Sequence, residues 1–390
     1  MWRQRRSVCT LLLLALLAAV TAKSAPERSD RKAEKSSARD RYTVEDIMVG
    51  DIPGKQLTDN VEGQHVWILP TQGGRVEAIR MKSATSGVVR DVILTHNGNS
   101  TAIKENALFK GAVLLPFANR IANGTYMFQG KTYHLKINEP ERQNALHGLL
   151  YDKELTVLSS VSGNQYAILV LQYVFDGTDP GYPFRLTVQL DYILTADGFV
   201  LSVGATNEHA SRPLPFYMGW HPYFKVTATA STVVLFAPCS NYSHIVTDKT
   251  SLIPTGTTEP TSTFTDSKPI GGTASSPTYI DDGYAALAPT DANCTSLEHI
   301  IYDTLSKEAT YMIQTDDFRF TQAFTGSVSI SGEQGVAVEP MSAETDAFNN
   351  HIGLSILNAQ QQWRSSVAVS LGKASEGPSF RDFLHTSPPH

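Results

Sequence analysis

Alternation of apolar and polar side chains, rather than a helical period, organises the chain between residues 42 and 375. Ala167 to Phe175 (AILVLQYVF) is a run of β-branched, aliphatic and aromatic residues with the length and character of a strand. Arg185 to Leu194 (RLTVQLDYIL) alternates polar and apolar positions. Phe199 to Thr206 follows Ala-Asp-Gly, a hairpin signal. Tyr126 to Tyr133 predicts two short strands around Gln129-Gly130, and Val233–Phe236 and Val367–Leu371 add two more. No long helical period and no internal repeat interrupts this pattern. Many short strands punctuated by Gly, Pro, Asn and Asp predict an all-β sandwich or barrel. The Thr/Ser/Pro/Gly-rich stretch 247–280 is expected to be a surface loop of one sandwich, because the strand-like material on both sides has the same character.

The ends of the chain break the pattern. Arg3, Arg5 and Arg6 precede an apolar stretch from Leu11 to Val20, followed by the small residues Thr21 and Ala22. This is the layout of a secretory signal peptide over residues 1–22. The apolar stretch is far shorter than the ~20 residues a membrane-spanning helix requires. Residues 23–41 carry dense mixed charge and are expected to be a solvated tail or pro-segment. Residues 42–375 form the folded domain, and 376–390 a loose tail. The protein is therefore expected to be secreted, extracellular or in the lumen of the secretory pathway, with no membrane attachment once the signal is removed. Cys9 falls in the signal, which leaves Cys239 and Cys294. In an oxidising compartment they suggest one disulfide, closing a loop of about 55 residues and worth ~4 kcal/mol in the chain-entropy view; two buried free thiols are the alternative. Sequons at Asn99, Asn123, Asn241 and Asn293 point to a glycoprotein.

Composition narrows the function. The 390 residues are 41% hydrophobic and 18% charged, enough apolar material for a large core. A net charge of -6 with no long basic block argues against a nucleic-acid partner. The chain has no His-Glu-x-x-His, no Gly-x-Ser-x-Gly and no Gly-x-Gly-x-x-Gly after a strand. Metal, serine-nucleophile and dinucleotide chemistry are thus unexpected, and no cofactor is expected. Acid–base work by His and carboxylate remains. His147 in Asn-Ala-Leu-His-Gly and His221 in Gly-Trp-His-Pro-Tyr-Phe sit among turn formers and bulky apolar residues. Glu339 emerges from the apolar run Gly335 to Val338, where desolvation raises a carboxyl pKa toward that of a useful base.

At these residues the chain resembles the aldose 1-epimerases, or galactose mutarotase-like proteins. The resemblance rests on residues 116–150 (PFANRI…LHGLL), 219–224 (GWHPYF), 322–326 (QAFTG) and 338–349 (VEPMSAETDAFN), in that order. It implies a single-domain β-super-sandwich and interconversion of the α and β anomers of free aldoses such as glucose or galactose. It also implies a small-sugar partner and a monomer. By position, Glu339 matches the general base, His221 the acid that protonates the ring oxygen, and His147 a second imidazole beside it. Asn119, Arg120 and Gln322 match sugar-contacting residues. The sugar-binding Asp matches Asp281 best, with its neighbour Asp282 left open. Ring opening removes one proton and adds another, so a carboxylate and an imidazolium suffice if the first helps keep the second charged. Two other readings compete. One is a secreted carbohydrate-binding protein without turnover. The other is a hydrolase or lyase using Asp281 with Glu339, for which the His221 context is a poor fit.

Overall fold

Long β-branched and aliphatic runs become the regular half of the molecule. The computed structural model describes residues 40–83, 85–227, 230–238, 240–266, 268–273, 276–289, 297–326 and 334–373. The expected signal 1–22, nearly all of the tail 23–41, the tail 376–390, Cys239, Cys294 and the Asn293 sequon lie outside the described residues. An eight-stranded antiparallel sheet runs Thr156–Val161, Ala167–Asp176, Arg185–Thr195, Gly198–Asn207, Gln362–Lys373, Glu308–Gln314, Leu297–Asp303 and Val233–Phe236. Leu186, Val188 and Leu190 point from it into the core, as period-two alternation requires. Thr125–Phe128 and Lys131–His134 form the expected hairpin, with Gln129 and Gly130 both at positive φ, 49° and 74°.

A second sheet orders its strands Pro254–Pro260, Ser240–Thr247, Asp281–Pro289, Phe320–Phe324, Gly335–Met341, Gly219–Trp220 and Val113–Leu114; Tyr223–Lys225 pairs with Gly335–Met341 off this path. A five-stranded antiparallel sheet covers residues 42 to 91. Buried side chains from Tyr42 to Val369, including Tyr192, Leu201, Trp220, Phe224 and Val338, form one continuous apolar core. This is an all-β super-sandwich. Among the described residues the α-helices are short, Ser100–Glu105 and Ala347–Asn350.

The loop expected over 247–280 needs correction. Pro254–Pro260 is an edge strand paired with Ser240–Thr247, exposed along most of its length. Its Thr-rich sequence suits an exposed extended edge, and its prolines stand at the two ends, where few ladder donors are lost.

Register in the second sheet assembles the site. Gly219 lies opposite Met341 and Tyr223 opposite Ala337, so His221, between the two short strands, falls level with Glu339. On the other side of that strand Gln322 lies opposite Glu339. One strand further, Gly283 faces Gln322, which puts Asp281 on the same sheet face two positions along. Pro222 has no N–H to give a ladder and sits where the strand is interrupted.

Candidate active site

Glu339 is buried in a strand whose seven residues are all buried. His221 Nε2 lies 3.4 Å from Glu339 Oε1. The imidazole stacks on Tyr223 with centroids 5.0 Å apart and planes 14° apart. Its backbone is gripped from one segment: His221 N donates to Ala112 O at 3.0 Å, and Gly111 N donates to His221 O at 2.9 Å. Gly111 also packs against the strand Arg75–Lys82, where a Cβ would meet Val76 O at 2.0 Å, and its φ is +65°.

His147 completes the cluster edge-on to His221, with centroids 5.0 Å apart. It is held by a two-way exchange with Asn119. His147 N donates to Asn119 O at 2.9 Å, and Asn119 N donates to His147 Nδ1 at 3.3 Å. Both residues take positive φ, 62° and 56°. Because Nδ1 accepts, neutral His147 carries its proton on Nε2. Ligand atoms of His147, His221 and Glu339 lie within 4.8 Å of one another, a donor set of metal-site composition. A cation on His147 Nε2 would force a proton onto Nδ1 against the Asn119 N–H, so this backbone opposes metal ligation there.

Arg120 lies beside the cluster. Its Nε donates to both oxygens of Glu139 at 3.1 and 3.0 Å, its Nη2 donates to Glu139 Oε1 at 2.9 Å, and its Nη1 donates to Asn119 Oδ1 at 3.2 Å. Arg120 Nη2 stands 3.8 Å from Asp281 Oδ2. Gln322 Nε2 donates to Asp281 Oδ1 at 2.7 Å. Asp282 points the other way, 3.4 Å from His244 Nε2. The geometry therefore joins Asn119, Arg120, His147, His221, Asp281, Gln322 and Glu339 in one place and leaves Asp282 out.

Two supporting carboxylates escaped sequence reasoning. Glu139 orients Arg120; a buried arginine requires such a partner, and Glu139 stands inside the 116–150 segment. Asp346 holds the same segment from the other side. Ala122 N donates to its Oδ1 at 3.0 Å, and Asp346 N donates to Arg120 O at 2.8 Å.

Burial dominates the electrostatics of the pair. Burial pushes the Glu339 carboxyl well above its usual range; Asp281 adds to the shift and Arg120 opposes it. Burial likewise drives His221 down to about 3, assisted by Arg120. His147 is also lowered well below the usual range by burial, with His221 and Arg120 contributing. Desolvation penalises both ions, so burial works against the carboxylate's hold on an imidazolium charge. Glu339 Oε2 and His221 Nδ1 are buried without a hydrogen-bond partner among the described residues. An acid–base pair this poorly satisfied, next to fixed amide, guanidinium and carboxylate groups, leaves donors and acceptors free to pair with polar groups of a ligand.

A super-sandwich with a buried imidazole–carboxylate pair among fixed polar side chains is the architecture of the galactose mutarotase-like folds. The sequence model of the aldose 1-epimerase family matches residues 57–370, and the chain belongs to that family of isomerases. It is 31% identical over 259 residues to the uncharacterized protein YihR of Escherichia coli K12, covering 65% of this chain and 76% of that protein. Human galactose mutarotase is 34% identical over 164 residues, 41% of this chain and 44% of that protein. In fold the chain is similar to a galactose mutarotase-like protein of Clostridium acetobutylicum (TM-score 0.69, 16% identity, 85% of this chain and 99% of that one). It is also similar to galactose 1-epimerase of Lactobacillus acidophilus (TM-score 0.65, 14% identity, 87% and 100%).

Proposed function

We propose that the protein is an exported aldose 1-epimerase that interconverts the anomers of free aldoses such as glucose or galactose. The 3.4 Å contact between His221 Nε2 and Glu339 Oε1 carries this reading, because it puts a proton acceptor and a proton donor within one hemiacetal's reach. The neutral acid–imidazole pair holds the same number of protons as the ion pair. Moving one proton from Glu339 to His221 therefore arms both groups. A bound sugar favours that move, since its anomeric hydroxyl donates to the carboxylate and its ring oxygen accepts from the imidazolium. Glu339 then takes the anomeric proton while His221 protonates the ring oxygen. The C1–O5 bond breaks, the C1–C2 bond rotates, and reversal of both transfers closes the other anomer. His147 Nε2–H donates toward the ring oxygen and its neighbours. Asn119, Arg120, Asp281 and Gln322 hold the remaining hydroxyls.

Export is supported by the charged and apolar halves of residues 1–22 and by the exposure of the sequon residues Asn99, Asn123 and Asn241. Freshly dissolved α-D-glucose and α-D-galactose followed by polarimetry or NMR test the activity; equilibration no faster than buffer sinks it. Sugar binding without exchange would instead favour a carbohydrate-binding protein. Expression of the full chain in a secreting eukaryotic cell should place it in the medium, with a mass that falls on glycosidase treatment.

A further inference from the structure

Six rings run in a file through the site: Tyr151, Phe109, His147, His221, Tyr223 and Phe324, with successive centroids 5.0, 4.6, 5.0, 5.0 and 6.3 Å apart. The proton transfers use the two imidazoles and leave Phe109 without a task. Phe109 is half-buried and sits at φ 53°, a region that bulky side chains avoid. Its turn is pinned: Phe109 N donates to Asn106 O at 2.8 Å and Ala112 N to Phe109 O at 3.0 Å. Asn106 is itself buried, 3.2 Å from His96 Nε2, and His96 Nδ1 lies 2.8 Å from Glu77 Oε2. A strained backbone held by a buried polar network is characteristic of functional positions.

Order along the site gives Phe109 its role. Asp281 and Gln322 lie on one side of Glu339, and the imidazoles on the other. If Glu339 meets the anomeric hydroxyl and His221 the ring oxygen, the next sugar atom in that direction is C5. The next groups in the file are His147 and Phe109. We propose that Phe109, backed by Tyr151, is the apolar wall that receives the C5 substituent of the pyranose and so sets which aldoses the protein prefers. This rests on the epimerase reading for the direction of the sugar. A carbon-rich substituent gains by covering an aromatic face, whereas a bare C5 leaves that face in water.

D-Galactose, 6-deoxy-D-galactose and L-arabinose share their ring hydroxyl pattern and differ at C5 in carrying hydroxymethyl, methyl or hydrogen. The wild type should show a KM for L-arabinose about tenfold above that for 6-deoxy-D-galactose. Phe109→Ala should raise KM about tenfold for the two substituted sugars, leave L-arabinose within about twofold, and leave kcat nearly unchanged for all. Phe109→Leu keeps apolar bulk without a ring and should fall between the two, which guards against an alanine variant that misfolds. An equal rise for all three sugars, or a fall in kcat with KM unmoved, overturns the wall. Calorimetric titration with the same sugars separates the two readings. Binding that keeps the C5 ratios without anomer exchange overturns the epimerase and supports the wall, and binding of none of the three overturns both.

Discussion

Asp191 and Glu339 are both buried carboxyl groups on central strands, and they are treated in opposite ways. Asp191, in the regular sheet, accepts from Arg364 Nη1 at 2.6 Å and from Gln189 Nε2 at 2.8 Å. Glu339, in the second sheet, has an imidazole at 3.4 Å and one oxygen with no partner among the described residues. Asp191 has both oxygens answered within the sheet that buries it; Glu339 keeps one oxygen open to whatever enters. A buried polar atom without a partner costs about 1–3 kcal/mol, and at Glu339 that cost falls on the group placed beside the two imidazoles.

The largest test of this contrast exchanges rate for stability. Glu339→Gln should slow anomer exchange by about 10²–10⁴-fold, the usual range for a positioned base. Its melting temperature should stay level or rise at neutral pH, because a group that resists ionisation has been replaced by a neutral one. Asp191→Ala should do the reverse. It strands Arg364, lowering stability by about 2–3 kcal/mol in urea unfolding, with exchange per folded molecule unchanged. Equal losses of activity in both variants would abolish the distinction between the sheets.

Acid should expose the cost of burying neutral imidazoles in either sheet. His221 in the site and His299 in the regular sheet are both pushed down to about 3, chiefly by burial. An unfolded imidazole titrates near 6.5, so between about 6.5 and 3 the unfolded chain binds protons that the native chain refuses. Stability therefore falls as pH drops through this window, by about 2 kcal/mol per buried imidazole at pH 5. His299→Gln should flatten the fall in unfolding free energy, read from urea titrations, between pH 7.5 and pH 5 by about that amount. A slope identical to that of wild type would mean that His299 takes up protons as readily in the fold as in the unfolded chain.

The contrast also explains what was legible in the sequence. Strands of the regular sheet announce themselves, since Arg185–Thr195 opens with polar–apolar alternation and Gly198–Asn207 follows a hairpin signal. His147, His221 and Glu339 were legible because each stands in a short motif of unusual neighbours. Their mutual register was not, because it depends on which strands pair. The Thr-rich strand Pro254–Pro260 reads as loop, for its pairing comes from Ser240–Thr247 and not from its own composition. Glu139 and Asp346 act through long-range contacts, to the Arg120 guanidinium and to the backbone of residues 120–122, that no local pattern encodes. The left-handed backbones of Asn119 and His147, which fix the tautomer of His147, are likewise imposed from outside the segment. Whether Glu339 keeps His221 charged turns on the burial of both groups together, which the sequence shows only for the carboxylate's own strand.

The finest test lies within one strand. Asp281 and Asp282 are adjacent, and alternation sends them to opposite faces. Asp281 accepts from Gln322 and lies near Arg120, whereas Asp282 faces His244. Asp281→Ala frees the Gln322 amide and the Arg120 guanidinium from a partner they need for orientation. KM should rise about tenfold or more, with a smaller change in kcat, as expected when a binding contact is lost. Asp282→Ala removes only a partly exposed pair worth about 0–1 kcal/mol, and its KM should stay within about twofold of wild type. The two variants have the same composition and almost the same place in the chain. Any difference between them therefore reads the sheet face alone, and a larger effect from Asp282 would turn the sugar-binding face of this strand around.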